Sequence, residues 1–354
     1  MDNGGFAKFV KQNWFGFVSI GISITMLIIY LIKAGGINEL ADSFAYINKF
    51  WLAGMVICML AFWLADGSVL HVYVAMKYKN HSYIKSLKTT MIGLLYNNLT
   101  PFGTGGQPMQ VYDLTLDNVS AGDAVSFVMV KTLLYQMCLI VYAAAVLIFT
   151  FGFFRERIPH LALLMWAGVC INVVFITAVC AVSLKKAAAE KIAAVIVRLL
   201  AALRIVKNRG RVTELFNMQI TRFNRSFTLL FQKRDKLILG FLLTVLQQTL
   251  YYCLPYCIYR GFNMSGVSFA LILSAQAIFS LIMTFVPIPG GSGVAESGFY
   301  LFYELFFTQG DIMPAVFLWR FLTYYSTIIV GGAVGFYDSH RRGKSIKTSD
   351  AKSI

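Results

Sequence analysis

The sequence predicts an all-α polytopic membrane protein of about seven to eight transmembrane helices and two re-entrant hairpins. Three observations carry that expectation. Of the 354 residues, 58% are hydrophobic and 13% charged, and several apolar stretches reach the roughly 20 residues that cross a bilayer. Two Gly- and Pro-rich breaks interrupt such sequence, PFGTGGQP at Pro101 to Pro108 and PIPGGSGVAE at Pro287 to Glu296, one in each half of the chain. The net charge of +15 is also concentrated, because thirteen Lys/Arg against Glu190, Glu214 and Asp235 leave +10 between Lys185 and Lys236.

In chain order, the candidate spans are Trp14 to Ile32, Phe50 to Val74, Val125 to Phe151, Leu161 to Leu184, Leu237 to Tyr259, Val267 to Val286 and Ala315 to Phe336. Lys8 and Lys11 precede the first, as in a signal peptide. The run is too long for one and no small-residue cleavage pattern follows, so it reads as a mature helix. The six cysteines, at positions 58, 138, 170, 180, 253 and 257, all fall in apolar spans. There they act as small hydrophobes and predict no disulfide framework. Cys253 and Cys257 share a helix face without a neighbouring His or carboxylate, which argues against a metal site; no metal or other cofactor is expected.

Lys/Arg-rich connections stay cytoplasmic. That rule places the 185–236 connector, the Lys77 to Lys88 connection and the basic 338–354 tail inside, and both termini with them. Counting crossings from these anchors then makes the segment between Lys88 and Asp123 enter and leave on the cytoplasmic side. Everything between Gly261 and Pro314 begins and ends outside. The chain therefore divides into a first half, 1–184, with a re-entrant segment at 89–115, and a second half, 237–337, with one at 267–309. All of it forms a single membrane domain, and the two breaks hang from opposite faces, as an inverted repeat would produce. An alternative leaves the parity unchanged: Val267 to Val286 and Ser297 to Phe307 as full helices joined by an ordinary turn.

Within the connector, Ala187 to Leu203 is helical by composition. Phe216, Ile220, Phe223 and Phe227 continue an apolar stripe among Arg222, Arg225 and Thr228. A basic amphipathic helix of this kind suits the anionic inner leaflet, the alternative being a solvated connector; nucleic acid is not an expected partner.

Irregular backbone at membrane depth needs protein or a water-filled cavity to satisfy it, so the breaks are where substrate-binding residues are sought. In the first, Asn97, Asn98, Gln107, Gln110 and Asp113 cluster around Pro101, Gly103, Gly105 and Gly106. Glycines expose N–H groups to an anion and amides offer neutral hydrogen bonds. Equally, those amides could satisfy the turn's own backbone. No Gly-Lys-Ser/Thr follows, so this is not a P-loop. The second break contributes Pro287, Pro289, Gly290, Gly291, Gly293 and Glu296.

Ionisable groups inside spans cost about 2.5 to 3.5 kcal/mol each and are functional candidates by default. Glu296 and Arg320 are expected to pair, either to pin hairpin to helix or to leave a guanidinium that holds a phosphate, and the two roles are compatible. Asp66 is a candidate proton or ion relay, or a hydrogen-bond acceptor for a neighbouring helix. Lys131 and Glu304 are expected to snorkel toward interfaces. The histidines, His71, His81, His160 and His340, lie near span ends, in connections and in the tail. No nucleophile-base constellation forms near the breaks, and no catalytic residue is assigned.

These motifs, NNLTPFGTGGQPMQVYDL at Asn97 to Leu114, PIPGGSGVAE, and WRFLTYYSTIIVGG at Trp319 to Gly332, resemble the lysylphosphatidylglycerol synthase transmembrane family. This is the membrane half of the bacterial multiple peptide resistance factor and its free-standing relatives. The resemblance implies a bacterial inner-membrane protein that flips or handles aminoacylated or other anionic lipids. It also implies that the aminoacyl transferase of lysylphosphatidylglycerol-making members is a separate soluble domain after the last helix. About eighteen residues follow Phe336 here, so a non-enzyme is expected. Many relatives carry an arginine in the first motif where Gln107 and Gln110 stand, which shifts the expected phosphate partner to Arg320.

The leading expectation is thus a translocase for an anionic or aminoacylated phospholipid or polyprenyl-phosphate headgroup. Two alternatives stay open: an accessory subunit that presents lipid to a separate transferase or glycosyltransferase, and an ion-coupled small-solute transporter.

Overall fold

In a computed structural model, the protein is described over residues 42–184, 209–284 and 286–352, and at the isolated helical positions Gly21, Thr25, Ile28, Ile29 and Ile32. Most of the Trp14 to Ile32 span and the Ala187 to Leu203 segment lie outside the described residues. Every regular element among the described residues is helical.

Helix α1 (Lys49–Lys77) leads to α2 (Tyr83–Leu99), a 3-10 turn at Pro101–Gly103, and α3 (Gly106–Leu116). Then come α4 (Ala121–Phe149), the short α5 (Phe151–Arg155) and α6 (Leu161–Leu184). After the connector follow α7 (Arg209–Gln232), α8 (Arg234–Gly261), α9 (Phe269–Met283), a second 3-10 turn at Pro289–Gly291 and α10 (Val294–Tyr303). The last stretch is α11 (Ile312–Arg320), a π turn at Phe321–Tyr325 and α12 (Ser326–Lys352).

Five of these helical stretches among the described residues are long and apolar enough to cross a membrane: Lys49–Lys77, Ala121–Phe149, Leu161–Ala181, Arg234–Gly261 and Ile312–Arg342. The helix in the Val267 to Val286 segment has only 15 residues, which fits the re-entrant arm expected at 267–309 better than a full span. Its partner α10 has 10, and α2 and α3 have 17 and 11. At 1.5 Å per residue these four arms are about 22, 15, 26 and 17 Å long, each below the roughly 30 Å of a hydrocarbon core.

The bundle is organised around α1 and α8, which run antiparallel: the Asn48 N–H donates to the Gly261 carbonyl at 2.9 Å at one end. At the other, Gly240 lies against the Tyr73 hydroxyl. One apolar core joins the start of α1 with the end of α8 and α9 to α11. A second joins the end of α1 with the start of α4 and the end of α7.

The α2–α3 hairpin has its base at the Lys77 end, where Lys88 meets Asp117 and Asp338 at 3.2 and 3.4 Å. The α9–α10 hairpin has its base at the opposite end, where Phe269 packs on Tyr256 and Phe307 on Tyr259. The hairpins thus enter from opposite ends, and their two 3-10 turns touch inside the bundle.

One expectation about a polar segment changes. The apolar stripe of α7 does not simply face a lipid surface, because Phe227 and Leu230 are buried against the core at the start of α4. Burial of those two side chains against protein removes them from any membrane contact. The basic tail is helical as far as Lys352, as the continuation of α12.

Candidate functional site

The two breaks fold into the same backbone. Each is a single 3-10 turn that starts at a proline, Pro101 or Pro289. The second residue is left-handed in both, Phe102 at φ 55°, ψ 10° and Gly290 at φ 57°, ψ 9°. So is the third, Gly103 at φ 61° and Gly291 at φ 63°. Regular helix resumes five residues after each proline, at Gly106 and Val294. The underlying pattern, Pro-X-Gly-Thr/Ser-Gly at 101–105 and 289–293, is a short internal repeat that a search for breaks alone does not register. The turns meet at Gly290: a Cβ there would lie 2.2 Å from the Tyr324 ring and 3.0 Å from the Asn98 carbonyl oxygen. Only glycine combines that approach with a left-handed φ.

What satisfies each turn differs. In the first, neutral side chains do it: Asn97 Oδ1 accepts from Gly106 N at 2.9 Å, and Thr100 Oγ1 accepts from Gly105 N at 2.8 Å. Asn97 Oδ1 is therefore engaged by its own turn.

In the second, an ion pair does it. Arg320 Nε donates to Glu296 Oε1 at 2.7 Å, with the side chains 5% and 3% exposed. Arg320 Nη2 donates to the Gly290 carbonyl at 2.8 Å. Glu296 Oε2 accepts from Gly293 N at 2.6 Å, capping the start of α10 where the helix dipole favours an anion. The guanidinium also lies 4.2 Å from the Tyr324 ring centroid, a cation–π contact. The π turn just after Arg320, a feature often found at functional sites, carries Tyr324 to that position.

Where the turns meet there is a cavity of about 400 Å³, within the roughly 300 to 1,000 Å³ of small-molecule sites. Of the residues singled out in the sequence, Asp66, Asn97, Asn98, Gly103, Gln107, Gln110, Gly290, Gly291 and Arg320 line it. Pro101, Gly105, Gly106, Pro287, Pro289, Gly293 and Glu296 shape the turns from behind it. Gln110 reaches it because α2 carries Gly93 opposite, where a Cβ would fall 2.2 Å from Gln110 Nε2.

Asp113 is elsewhere. Its carboxylate is buried in a cluster at the Lys77 end, 3.1 Å from Lys88 and 3.4 Å from Arg342, and accepts a 2.5 Å hydrogen bond from Thr89. Asp113 lies one helical turn beyond Gln110, on the arm's way out of the bundle, which puts it at the hairpin's base.

Lys131 corrects a second expectation. Instead of snorkelling, it lines the cavity with its amine 2.8 Å from Asp66 Oδ1, the side chains 12% and 4% exposed. An unpaired charge at that depth would be costly, and the carboxylate on α1 is the compensating partner. Glu304 is exposed at the end of α10.

The sequence reading also missed neutral lining groups inside spans: Gln136, Gln247 and Gln248, with Tyr251, Thr323 and Tyr324. Amide side chains at the centres of apolar spans are the available signal, weaker than that of an ionisable group because an amide costs less to bury. Gln107 Oε1, Gln136 Oε1, Trp319 Nε1 and the Tyr324 hydroxyl are buried without a hydrogen-bond partner.

Fold and site together define an α-helical polytopic membrane protein with a half-open cavity, lined by both polar and apolar groups, where two broken hairpins meet. The chain belongs to the family of the lysylphosphatidylglycerol synthase TM region, whose model matches residues 17–331. It is also similar to a UPF0104 membrane protein of Archaeoglobus fulgidus, 24% identical over 287 residues that cover 79% of this chain and 85% of the relative. The matched region is a transmembrane one and not a catalytic domain.

Proposed function

We propose that the protein is a lipid translocase. A headgroup enters the cavity and passes between the two turns while the acyl chains stay in the surrounding bilayer. The observation that carries this reading is the meeting of two broken hairpins from opposite ends of the bundle at one cavity with polar groups in its lining, the arrangement by which transporters place a substrate site between repeats. The candidate cargo is an anionic or aminoacylated phospholipid or a polyprenyl phosphate in the cytoplasmic membrane. In this reading the end of the bundle where Lys77, Lys85, Lys88 and Arg342 gather is the cytoplasmic one. Transport fits the site better than group transfer, because the cavity lining contains neither His nor Cys to act as base or nucleophile.

Purified protein in liposomes that carry fluorescent phosphatidylglycerol tests this. The expected result is accelerated exchange of label between leaflets, abolished by Glu296→Gln or Arg320→Ala. If folded wild-type protein accelerates no lipid, the translocase reading fails.

A second reading, ion-coupled transport, is favoured by the Asp66–Lys131 pair, since a titratable pair within a transport cavity can couple cargo to protons. Lipid movement that is insensitive to an imposed pH gradient in wild type would remove it.

A further inference from the structure

We propose that the group this cavity accepts is polyhydroxylated, a glycerol or a sugar headgroup, rather than a bare phosphate or a cationic amine. This rests on the translocase reading and revises its cargo from a headgroup recognised by charge to one recognised by hydroxyls. The cavity presents two cations, Lys131 and Arg320. Both are already neutralised, Lys131 by Asp66 at 2.8 Å and Arg320 by Glu296 at 2.7 Å. A phosphate drawn inside would need an uncommitted cation, because a buried charge without a partner is strongly unfavourable.

A cationic headgroup meets the mirror-image obstacle. Asp66 is engaged with Lys131, and the two oxygens of Glu296 are held by Arg320 and by Gly293 N. The site is balanced against charge of either sign.

Apart from the Lys131 ammonium, whose charge Asp66 balances while its N–H groups make no hydrogen bond, what is left uncommitted is neutral. Gln107 Oε1 and Gln136 Oε1 are acceptors, Trp319 Nε1 is a donor, and the Tyr324 hydroxyl can be either. All four atoms are buried and none has a hydrogen-bond partner, although all four residues line the cavity. Buried polar atoms are nearly always satisfied, so four unsatisfied ones around one space call for a ligand or water that supplies both donors and acceptors. A hydroxyl does both at one atom, and several adjacent hydroxyls match a set of convergent amide, indole and phenol groups. An ionised phosphate offers only acceptors and an ammonium only donors. Phe62, Tyr251 and Phe279 add aromatic surface to the same wall, suited to the C–H faces of a polyol.

The test uses wild-type protein in liposomes with four acyl-labelled lipids compared in parallel: glucosyl-diacylglycerol, phosphatidylglycerol, phosphatidic acid and phosphatidylethanolamine. A site built to hydrogen-bond hydroxyls rejects analogues that lack them. Glucosyl-diacylglycerol, with hydroxyls and no phosphate, should therefore exchange fastest. Phosphatidylglycerol, whose glycerol hydroxyls match the site although its phosphodiester carries the charge penalty, should still exchange faster than phosphatidic acid and phosphatidylethanolamine by on the order of tenfold or more. Gln136→Leu, and separately Gln107→Leu, should erase that preference. Equal rates for all four lipids, or a lead for phosphatidic acid or phosphatidylethanolamine, overturn the headgroup inference while the translocase reading stands.

Native mass spectrometry of the detergent-solubilised protein with an equimolar mixture of the four lipids separates the two readings. Retention of the hydroxylated lipids without any exchange in liposomes sinks translocation and supports the headgroup assignment. Retention without preference sinks the assignment. A further arm adds free glucose in large excess over lipid: unchanged exchange is expected, and block by free sugar would make the cargo a solute and overturn the lipid source.

Discussion

The two turns share a backbone and differ in how it is held. Phe102 and Gly290 have nearly equal torsions, as do Gly103 and Gly291, yet Asn97 and Thr100 satisfy the first turn and Glu296 with Arg320 satisfies the second. Neutral hydrogen bonds come singly and fail singly. A buried ion pair fails as a unit, since removal of one member strands the other. The first turn therefore leaves its remaining amides, Gln107 among them, available to the cavity, while the second acts as the rigid wall against which a ligand is placed.

The largest effect expected from this contrast is at the ion pair. Arg320→Ala leaves Glu296 buried and uncompensated and should cost about 3 to 5 kcal/mol, read as a lowered thermal midpoint of the purified protein. The double change Glu296→Gln with Arg320→Met removes both charges and should recover a good part of that loss. Failure of the double variant to recover would mean that the pair acts mainly through Gly290 and Gly293 and not through charge.

Next comes Gly290→Ala. A methyl group 2.2 Å from the Tyr324 ring, at φ 57°, should cost about 2 to 3 kcal/mol and push the turns apart. Smaller again is Asn97→Ala, which strands the Gly106 N–H and should cost about 1 to 2 kcal/mol. If it costs as much as Arg320→Ala under the same thermal assay, the distinction between a neutral and an ionic turn is lost.

The smallest effect has the opposite sign. Phe102 is a bulky residue at positive φ and is exposed, so Phe102→Gly should relieve strain and stabilise the fold by about 1 kcal/mol, provided the added chain entropy does not offset it. Destabilisation by that change would show that the ring has a packing role at the cavity rim that its exposure hides.

Several features could be read without the fold. The breaks announced themselves because Pro and Gly cannot sustain helix in sequence that is otherwise apolar. Charge parity set the hairpins on opposite sides, and the Glu296–Arg320 partnership followed from the expense of leaving either alone.

Other features could not be. Asp66 and Lys131 are 65 positions apart and meet only because α1 and α4 pack together. Asp113 looked like part of the first break by proximity in sequence, but the helical rise of α3 carries it to the base cluster with Lys88 and Arg342.

The sequence by itself thus determined where the helices break, which end of the bundle is basic, and that charges at depth must be compensated. These are local or additive properties of composition. Only the tertiary structure decided which charges compensate one another, that two turns with one backbone touch at Gly290, and that glutamines from three separate helices join a single wall. The reason is that convergence depends on how helices rotate and pack against each other, and no short stretch of residues encodes that alone.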